Sequence, residues 1–546
     1  MFRTLKPQTS KKISRKPKSL PDEQFVSSSP APVHPTLQMQ SLIGNQATQR
    51  MIQRMPTHAG IIAALGQPKA HKTILGKVIK KNSTRYRSVL DAVRAYDVYL
   101  TTTVLAANKS EIQSQFMAAT ALLTTVQTSM AVYDGETDAK AVYFAAKKAE
   151  VAAEKASLAT SMLHVINNPV NYADFGAASR PKFGTVVRHT SQPRLMDRDK
   201  VGADAGGTSE VTEYGGATPG YFKANKSTLF NPEDDLAPIE GENKHLRAGR
   251  ADDAAMAVRE KLVEEHGPVK GAQIFGGLEN ENTFGVKLAG INSKDARMAK
   301  RDVATSRLNQ LLGANIIAKA QLSVQYNGDG TKVEGSLMEK ATGKSMNKMA
   351  TEDRFYDAAG GEAQAGTQQT SLQDPKLMQM LSKLQLIDQL AFQVDRNTGN
   401  YFIQVDGTGK VIGITGIDND FSLGTATDVN KRNDKLPALS KYADEEMAKA
   451  IINLDPELLR MVMADLLDDD EIAALITRLK TMQDFLKPLQ ARGELLKPDQ
   501  WDAAMAQKLL DEKVGKAAAF NYYQGLVAAR AGLAPKKPAV KAPVGH

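Results

Sequence analysis

The chain has 546 residues, 42% hydrophobic and 24% charged, with no cysteine, which is enough to bury a sizeable core in more than one domain. Zero cysteine excludes a disulfide framework, a thiolate zinc site and a cysteine nucleophile. The net charge of +9 points at first to nucleic acid or an anionic membrane, yet it resides at the ends: residues 1–56 hold nine basic groups against Asp22 and Glu23, Lys536, Lys537 and Lys541 follow Pro535, and the body carries 58 basic groups against 59 acidic ones. A neutral body with only 6% aromatic residues has no stacking-plus-basic pattern, so no specific nucleic-acid partner is expected.

Residues 1–36 are rich in Lys, Ser, Pro and Gln and too polar to offset the entropy of ordering, so 1–56 reads as a disordered basic leader. No apolar h-region follows the positive charges, and no run of about 18 apolar residues is present, so neither a Sec signal nor a transmembrane segment is expected. Within the leader, residues 37–52 place Met39, Leu42, Ile43, Ala47 and Met51 at the spacing of a short amphipathic helix, which has a structural reading as a helix docked on the body. Residues 57–169 are Ala-, Leu-, Val- and Lys-rich with helical periodicity and few breakers, and predict a helical bundle. Ser110 and Gln113 suggest a capping box; Ile112, Phe116, Ala119, Leu123, Val126 and Met130 form one apolar stripe. A third stretch, 137–166, continues through Val142, Ala145, Ala149 and Ala152. No titratable constellation occurs here, so the bundle is assigned no chemistry.

From 170 the pattern changes to short β-prone runs. Gly184–Arg188, Glu210–Tyr214 and Tyr221–Lys223 predict strands, with a Gly-rich turn, 215–220, before the last of them. A polar insertion (225–250) and helices at 252–266 and 297–312 follow, then a hairpin through 321–326 and 335–339. After 375 the chain reads as helical to about 533, interrupted by a β-hairpin at 401–417. The fold class expected is α+β.

Chemistry concentrates around that second hairpin. Asp395-Arg396-Asn397-Thr398-Gly399-Asn400 precedes it and Asp418-Asn419-Asp420 follows it. Phosphoryl transfer needs a carboxylate to orient or deprotonate an acceptor, a carboxamide and a carboxylate for magnesium, and a Lys for nucleotide phosphates. Lys223, after a Gly turn that lets backbone approach phosphates, stands upstream as that Lys. Two imitations fail on spacing. The Gly required five before Gly343 of Gly343-Lys344-Ser345 is Met338, and a calcium loop opening at Asp395 would need Gly at 400 and Glu at 406, where Asn400 and Asp406 stand.

Residues 180–530 resemble the atypical kinase fold of the phosphatidylinositol 3- and 4-kinase type, including its bacterial effector branch. Gly220-Tyr221-Phe222-Lys223 looks like its Lys-bearing third strand, Arg301–Leu308 with Leu311-Leu312-Gly313 like its αC helix, Asp395–Asn400 like its catalytic loop, and Ile417-Asp418-Asn419 like its metal-binding segment. The resemblance implies a two-lobed kinase-like domain, with an N-lobe carrying an insertion at 170–345, a C-lobe at 346–534 and a basic tail at 535–546. It implies ATP and Mg2+ as cofactors. Asp395 and Arg396 would be catalytic with Lys223, and Lys223, Asp302, Met338, Glu339, Gly216 and Gly220 would bind nucleotide. Asn400 and Asp418 would hold the metal, and Asp420 is an alternative to Asp418. Asp302 stands where the family has Glu, and its shorter reach leaves Glu260 as an alternative partner for Lys223.

The patch Leu42-Ile43-Gly44-Asn45-Gln46-Ala47, followed by Gln49-Arg50, resembles leaders of proteins carried by bacterial extracellular contractile injection systems. It implies an effector or toxin made in the bacterial cytoplasm, loaded into the injection particle and delivered into a target cell, where it would act on a protein or lipid. A kinase-fold AMP transferase and a non-catalytic structural component of the particle are the alternatives.

Overall fold

A computed structural model of the chain describes residues 76–135, 139–167, 180–187, 192–205, 210–215, 219–225, 264, 288–356, 369–429, 438–514, 517–518 and 521–533. The leader 1–56 with its 37–52 patch, Gly216, Glu260, the tail 535–546, and the expected insertion and helix over 225–266 (residues 225 and 264 apart) lie outside the described residues.

The architecture is α+β: a helical segment, then a mixed sheet, then mostly helices. Helices α1 (Gly76–Thr102), α2 (Lys109–Met130) and α3 (Ala139–Ile166) come first, with α2 packed against both neighbours. The six residues expected to form the stripe of α2 are the ones it buries. Its cap differs from expectation. Asn108, not Ser110, is the N-cap, and its Oδ1 accepts the Glu111 amide at 2.9 Å, because a short Asn acceptor in extended backbone reaches the third helical N–H directly. The phase expected for α3 is also corrected. Val142 is 66% exposed, and the buried side is set by Phe144, Val151, Leu158 and Met162. Alanines surround this helix and carry no phase, so the larger side chains, which gain more on burial, decide it.

The strand expected at Gly184–Arg188, whose last residue lies outside the described ones, is replaced by a helical turn, α4 (Phe183–Val186). Phe183 inserts between Tyr99 and Phe116, with ring centroids at 5.3 and 4.6 Å. A Cβ on Gly184 would come within 2.8 Å of the Leu100 carbonyl oxygen, so packing against the helical segment overrides the local β propensity.

Six strands form the main sheet: β1 (Arg194–Met196), β2 (Lys200–Ala205), β3 (Glu210–Tyr214), β4 (Gly220–Ala224), β5 (Ala320–Tyr326) and β6 (Lys332–Met338). Their order is β1-β5-β6-β4-β3-β2, antiparallel throughout except for β1 against β5. The first two strands carry too little pattern to be read from sequence. On one face Leu195, Tyr214, Phe222 and Leu337 form a core. Alternation then turns Lys223, the neighbour of Phe222, to the opposite face, beside its register partner Ser336. Helix α5 (Met298–Leu312) packs on β5 and β6.

The rest begins with β7 (Lys344–Ser345) and α6 (Met346–Thr351). Ser345 caps α6, and Gly343, at φ 93°, has Ile403 O 2.3 Å from where a Cβ would be, so this segment meets packing needs unrelated to a phosphate loop. Short parallel strands β8 (Phe355–Tyr356) and β9 (Thr370–Ser371) lead to α7 (Pro375–Ala391). Asp374 caps this helix, Pro375 opens it, and nearly its whole circumference is buried. The hairpin β10 (Tyr401–Val405) and β11 (Val411–Gly416) takes β7 as third strand. Helices α8 (Glu445–Ile452), α9 (Pro456–Met463), α10 (Asp469–Ala491), α11 (Ala503–Leu510) and α12 (Tyr522–Leu533) complete it. Among the described residues no helix is long and apolar enough to cross a membrane.

One buried acid lies in the helical segment. Glu154 is fully buried and accepts the Tyr96 hydroxyl at 2.8 Å, and burial pushes its carboxyl up to about 7, with the Tyr96 bond pulling the other way. The folded state therefore prefers the neutral acid. Its contribution is complete below the ordinary value near 4.5 and is lost as pH rises through about 7. Glu154→Gln is expected to flatten the fall in Tm between about pH 4.5 and 7 and to stabilise the chain at pH 8 by on the order of 3 kcal/mol; thermal unfolding from pH 4.5 to 8 checks it.

Candidate functional site

Pairing of Tyr401 with Gly416 brings the residue before β10 and the segment after β11 to one end of the hairpin, where the Ile417 amide donates to Asn400 O at 2.9 Å. The loops flanking a single hairpin therefore meet. Gln393, fully buried after α7, ties them again: its Nε2 donates to Asp418 O at 2.8 Å, and its Oε1 accepts the Asp395 amide at 3.1 Å.

Lys223 arrives from the sheet. Its ammonium lies 2.5 Å from Asp418 Oδ1 and bonds Asp420 Oδ2 as well. Asp418 has φ 57°, a left-handed conformation that Asp tolerates better than most residues. Its side chain is one-third exposed, whereas that of Asp420 is enclosed. Asp302, completely buried on α5, does not bond Lys223 directly. Its Oδ1 accepts the Asn419 amide at 2.7 Å and its Oδ2 the Ser336 hydroxyl at 3.3 Å, so the short side chain holds the acidic loop and acts on Lys223 through its charge. The expected Lys223–Asp302 ion pair is thus replaced by pairs to Asp418 and Asp420.

Electrostatically, three carboxylates surround one ammonium. Burial alone would lower the Lys223 ammonium, but Asp420, Asp418 and Asp302 more than reverse this and hold it well above its ordinary value. Burial pushes the Asp420 carboxyl upward, against the pull of Lys223, and raises Asp302 likewise. The other oxygen of Asp420 is buried with no hydrogen-bond partner. An excess of negative charge and a buried, unsatisfied carboxylate oxygen are conditions that a cation relieves.

Arg396 differs from the catalytic role expected. Its side chain is fully buried, and all five of its N–H groups are used. Nε and Nη2 pair with Asp388 at 2.8 and 2.9 Å, Nη2 also donates to Asn419 Oδ1 at 2.6 Å, and Nη1 donates to the carbonyls of Asn400 at 2.8 Å and Ile417 at 2.5 Å. It clamps both loops and has no donor left for a substrate. Asp395 is partly exposed beside it; Asn400 Nδ2 donates to Asp395 O at 2.8 Å and to Asp395 Oδ2 at 3.3 Å. This commits the amide N–H2 and makes Asn400 Oδ1 its oxygen donor.

Among the described residues no group of three or more His, Asp and Glu is arranged to hold a metal ion. Asp418, Asp420 and Asn400 Oδ1 are oxygen donors of the kind a hard cation such as magnesium takes, one or two carboxylates at a time. Gly220 has a packing cause: a Cβ there would lie 2.5 Å from Met338 O. Met338 ends β6, and Glu339 exchanges hydrogen bonds with Lys319, its amide to Lys319 O at 2.9 Å and its Oε1 accepting the Lys319 amide at 3.0 Å. A cavity of about 500 Å³ opens at Glu339 between α3, α5 and β5, and none of Lys223, Asp395, Asn400, Asp418 or Asp420 lines it.

Sequence reasoning missed Asp388, Gln393, Asn419 and Gly335. Asp388 and Gln393 face inward from α7 and the turn after it, eight and three positions before Arg396, where a buried acid and amide are the signal. Gly335 allows the sheet to carry Lys223: a Cβ there would meet Lys223 O at 2.3 Å. A scan against protein-family models and a search of curated proteins both find no match to the chain.

Arg396→Met leaves the buried Asp388 carboxylate without its counter-charge and is expected to lower the unfolding free energy by about 3 kcal/mol. Arg396→Lys should recover only part of this, since an ammonium cannot span the five acceptors. Denaturant unfolding of the two variants compares them.

Proposed function

We propose that the chain is a Mg-ATP-dependent phosphotransferase with a two-lobed kinase-like body. The observation that carries this reading is the meeting of Lys223, from the sheet, with Asp418 and Asp420 next to the Asp395–Asn400 loop. Lys223 would hold the α- and β-phosphates, Met338 and Glu339 would border the base, and Asp395 would orient the acceptor hydroxyl and take its proton. Asp418, Asn400 and Asp420 would hold magnesium, which neutralises phosphate charge when bound. The pairs of Lys223 with Asp418 and Asp420 set the ammonium that phosphates would need against the carboxylates that a metal would need. Each ligand therefore frees the other's partner, and binding of the two is mutually favourable.

Two measurements test this. Mg2+ and ATP at 100 times the dissociation constant should together stabilise the chain by about 2.7 kcal/mol, seen as a raised Tm that Asp418→Asn abolishes. Incubation with γ-labelled ATP and target-cell lysate should transfer label, and the Asp395→Ala variant should lose at least a hundredfold of that transfer. Label arriving only from the α-position would make the chain an AMP transferase. Full transfer by the double variant Asp395→Ala, Asp418→Ala would defeat both readings, and no Tm response to Mg2+ and ATP would favour a non-catalytic particle component.

For delivery, we propose that residues 37–52 load the chain into a contractile injection particle, on the strength of Ile43-Gly44-Asn45-Gln46-Ala47 within a basic, polar arm. The acceptor would be a target-cell protein or lipid. Deleting residues 1–56 should remove the chain from purified particles without altering its Tm response to Mg2+ and ATP.

A further inference from the structure

The ion pair between Arg396 and Asp388 has a third member. Tyr522, the first residue of α12, donates its hydroxyl to Asp388 Oδ2 at 2.8 Å, the same oxygen that receives Arg396 Nε. Its backbone amide donates to Gln385 Oε1 at 3.1 Å, one turn before Asp388 on α7. The ring is thus pinned at both ends to the helix that supplies the carboxylate. The end of α12 is fixed in turn by Asn521, whose Nδ2 donates to Leu509 O and to Glu512 Oε2, both at 2.9 Å. Asp388 is completely buried and Tyr522 nearly so, and burial together with the Asp388 charge keeps the phenol protonated and therefore a donor.

Geometry gives this contact a consequence beyond packing. The plane of the Asp388 carboxylate sets the plane of the guanidinium it holds bidentately, and that guanidinium carries the carbonyls of Asn400 and Ile417 and the Asn419 amide oxygen. Removing the phenol hydroxyl frees the carboxylate to turn and lets the clamp pivot, while leaving an apolar ring in place. We infer that Tyr522 is a positioning residue for the site: through Asp388 and Arg396 it fixes the Asp395–Asn400 loop against the Asp418–Asp420 loop. The kinetic part of the inference rests on the phosphotransferase reading; the structural part does not.

Tyr522→Phe in the full chain is the test, with Tyr523→Phe as control, because Tyr523 loses an equally buried hydroxyl that donates to Leu372 O at 3.1 Å. Amide hydrogen exchange should accelerate several-fold over 395–400 and 417–422 in Tyr522→Phe, with 109–130 unchanged, and Tyr523→Phe should leave both loops at the wild-type rate. Asp388→Asn should loosen the same loops, and adding Tyr522→Phe to it should add little. With labelled ATP, Tyr522→Phe should lower kcat about tenfold, the equivalent of one hydrogen bond to a charged group, while KM for ATP changes less than about twofold. Loops that exchange at the wild-type rate, or an acceleration spread equally over 109–130, would overturn the inference. A wild-type chain that transfers no label would defeat the phosphotransferase reading alone, and the exchange pattern would still decide the role of Tyr522.

Discussion

One guanidinium holds the centre of this molecule. Arg396 takes two oxygens of Asp388 from α7, the side-chain oxygen of Asn419 from the acidic loop, and the main-chain carbonyls of Asn400 and Ile417 from the two ends of a hairpin. Only a planar cation with five fixed donors joins so many acceptors in a buried place, and a buried arginine is tolerated only when all of them are supplied. The loops that bear Asp395, Asn400, Asp418 and Asp420 therefore share a frame built at their base.

A second set of ion pairs fastens α5, the helix that packs on the sheet, to the start of α10 and the segment before it. On α5, Arg301 bonds Glu471 and the Ser422 carbonyl, while Arg307 binds Asp465 with both Nη atoms and the Val462 carbonyl. Arg297 adds Asp468. Asp302 lies among these residues, so its hold on the Asn419 amide is as fixed as the helix that carries it. Such pairs contribute little net stability against apolar replacements, but they permit one registration of α5 on α10 and few others.

Where the sequence was legible, the signal was periodic or turn-based. The stripe of α2 announces itself through the spacing of its apolar residues, and the strand carrying Lys223 and the hairpin after Asn400 through the Gly-rich turns beside them. Local pattern failed at α4, where Phe183 answers to Tyr99 and Phe116, residues distant in sequence, and at α3, where alanine on every side erases the phase. For the site, the residue types around 395–400 and 418–420 were visible because polar loops flank an apolar strand. What they do was less visible. Arg396 reads as a reactive residue in a linear motif and becomes a clamp only when Asp388 and Asn419 surround it, and Lys223 finds its partners on the far loop, not on α5.

The two halves of the charged cluster are separated by 195 and 197 positions along the chain, and the phenol that steadies its base belongs to the last described helix. During synthesis Lys223 leaves the ribosome long before its carboxylates, and the clamp gains its third member only after Tyr522 has emerged. A nascent chain, or a proteolytic fragment ending before α12, carries the residues of the site without the phenol that bonds Asp388. The cluster and its clamp are therefore complete only on chains that have been extended through α12.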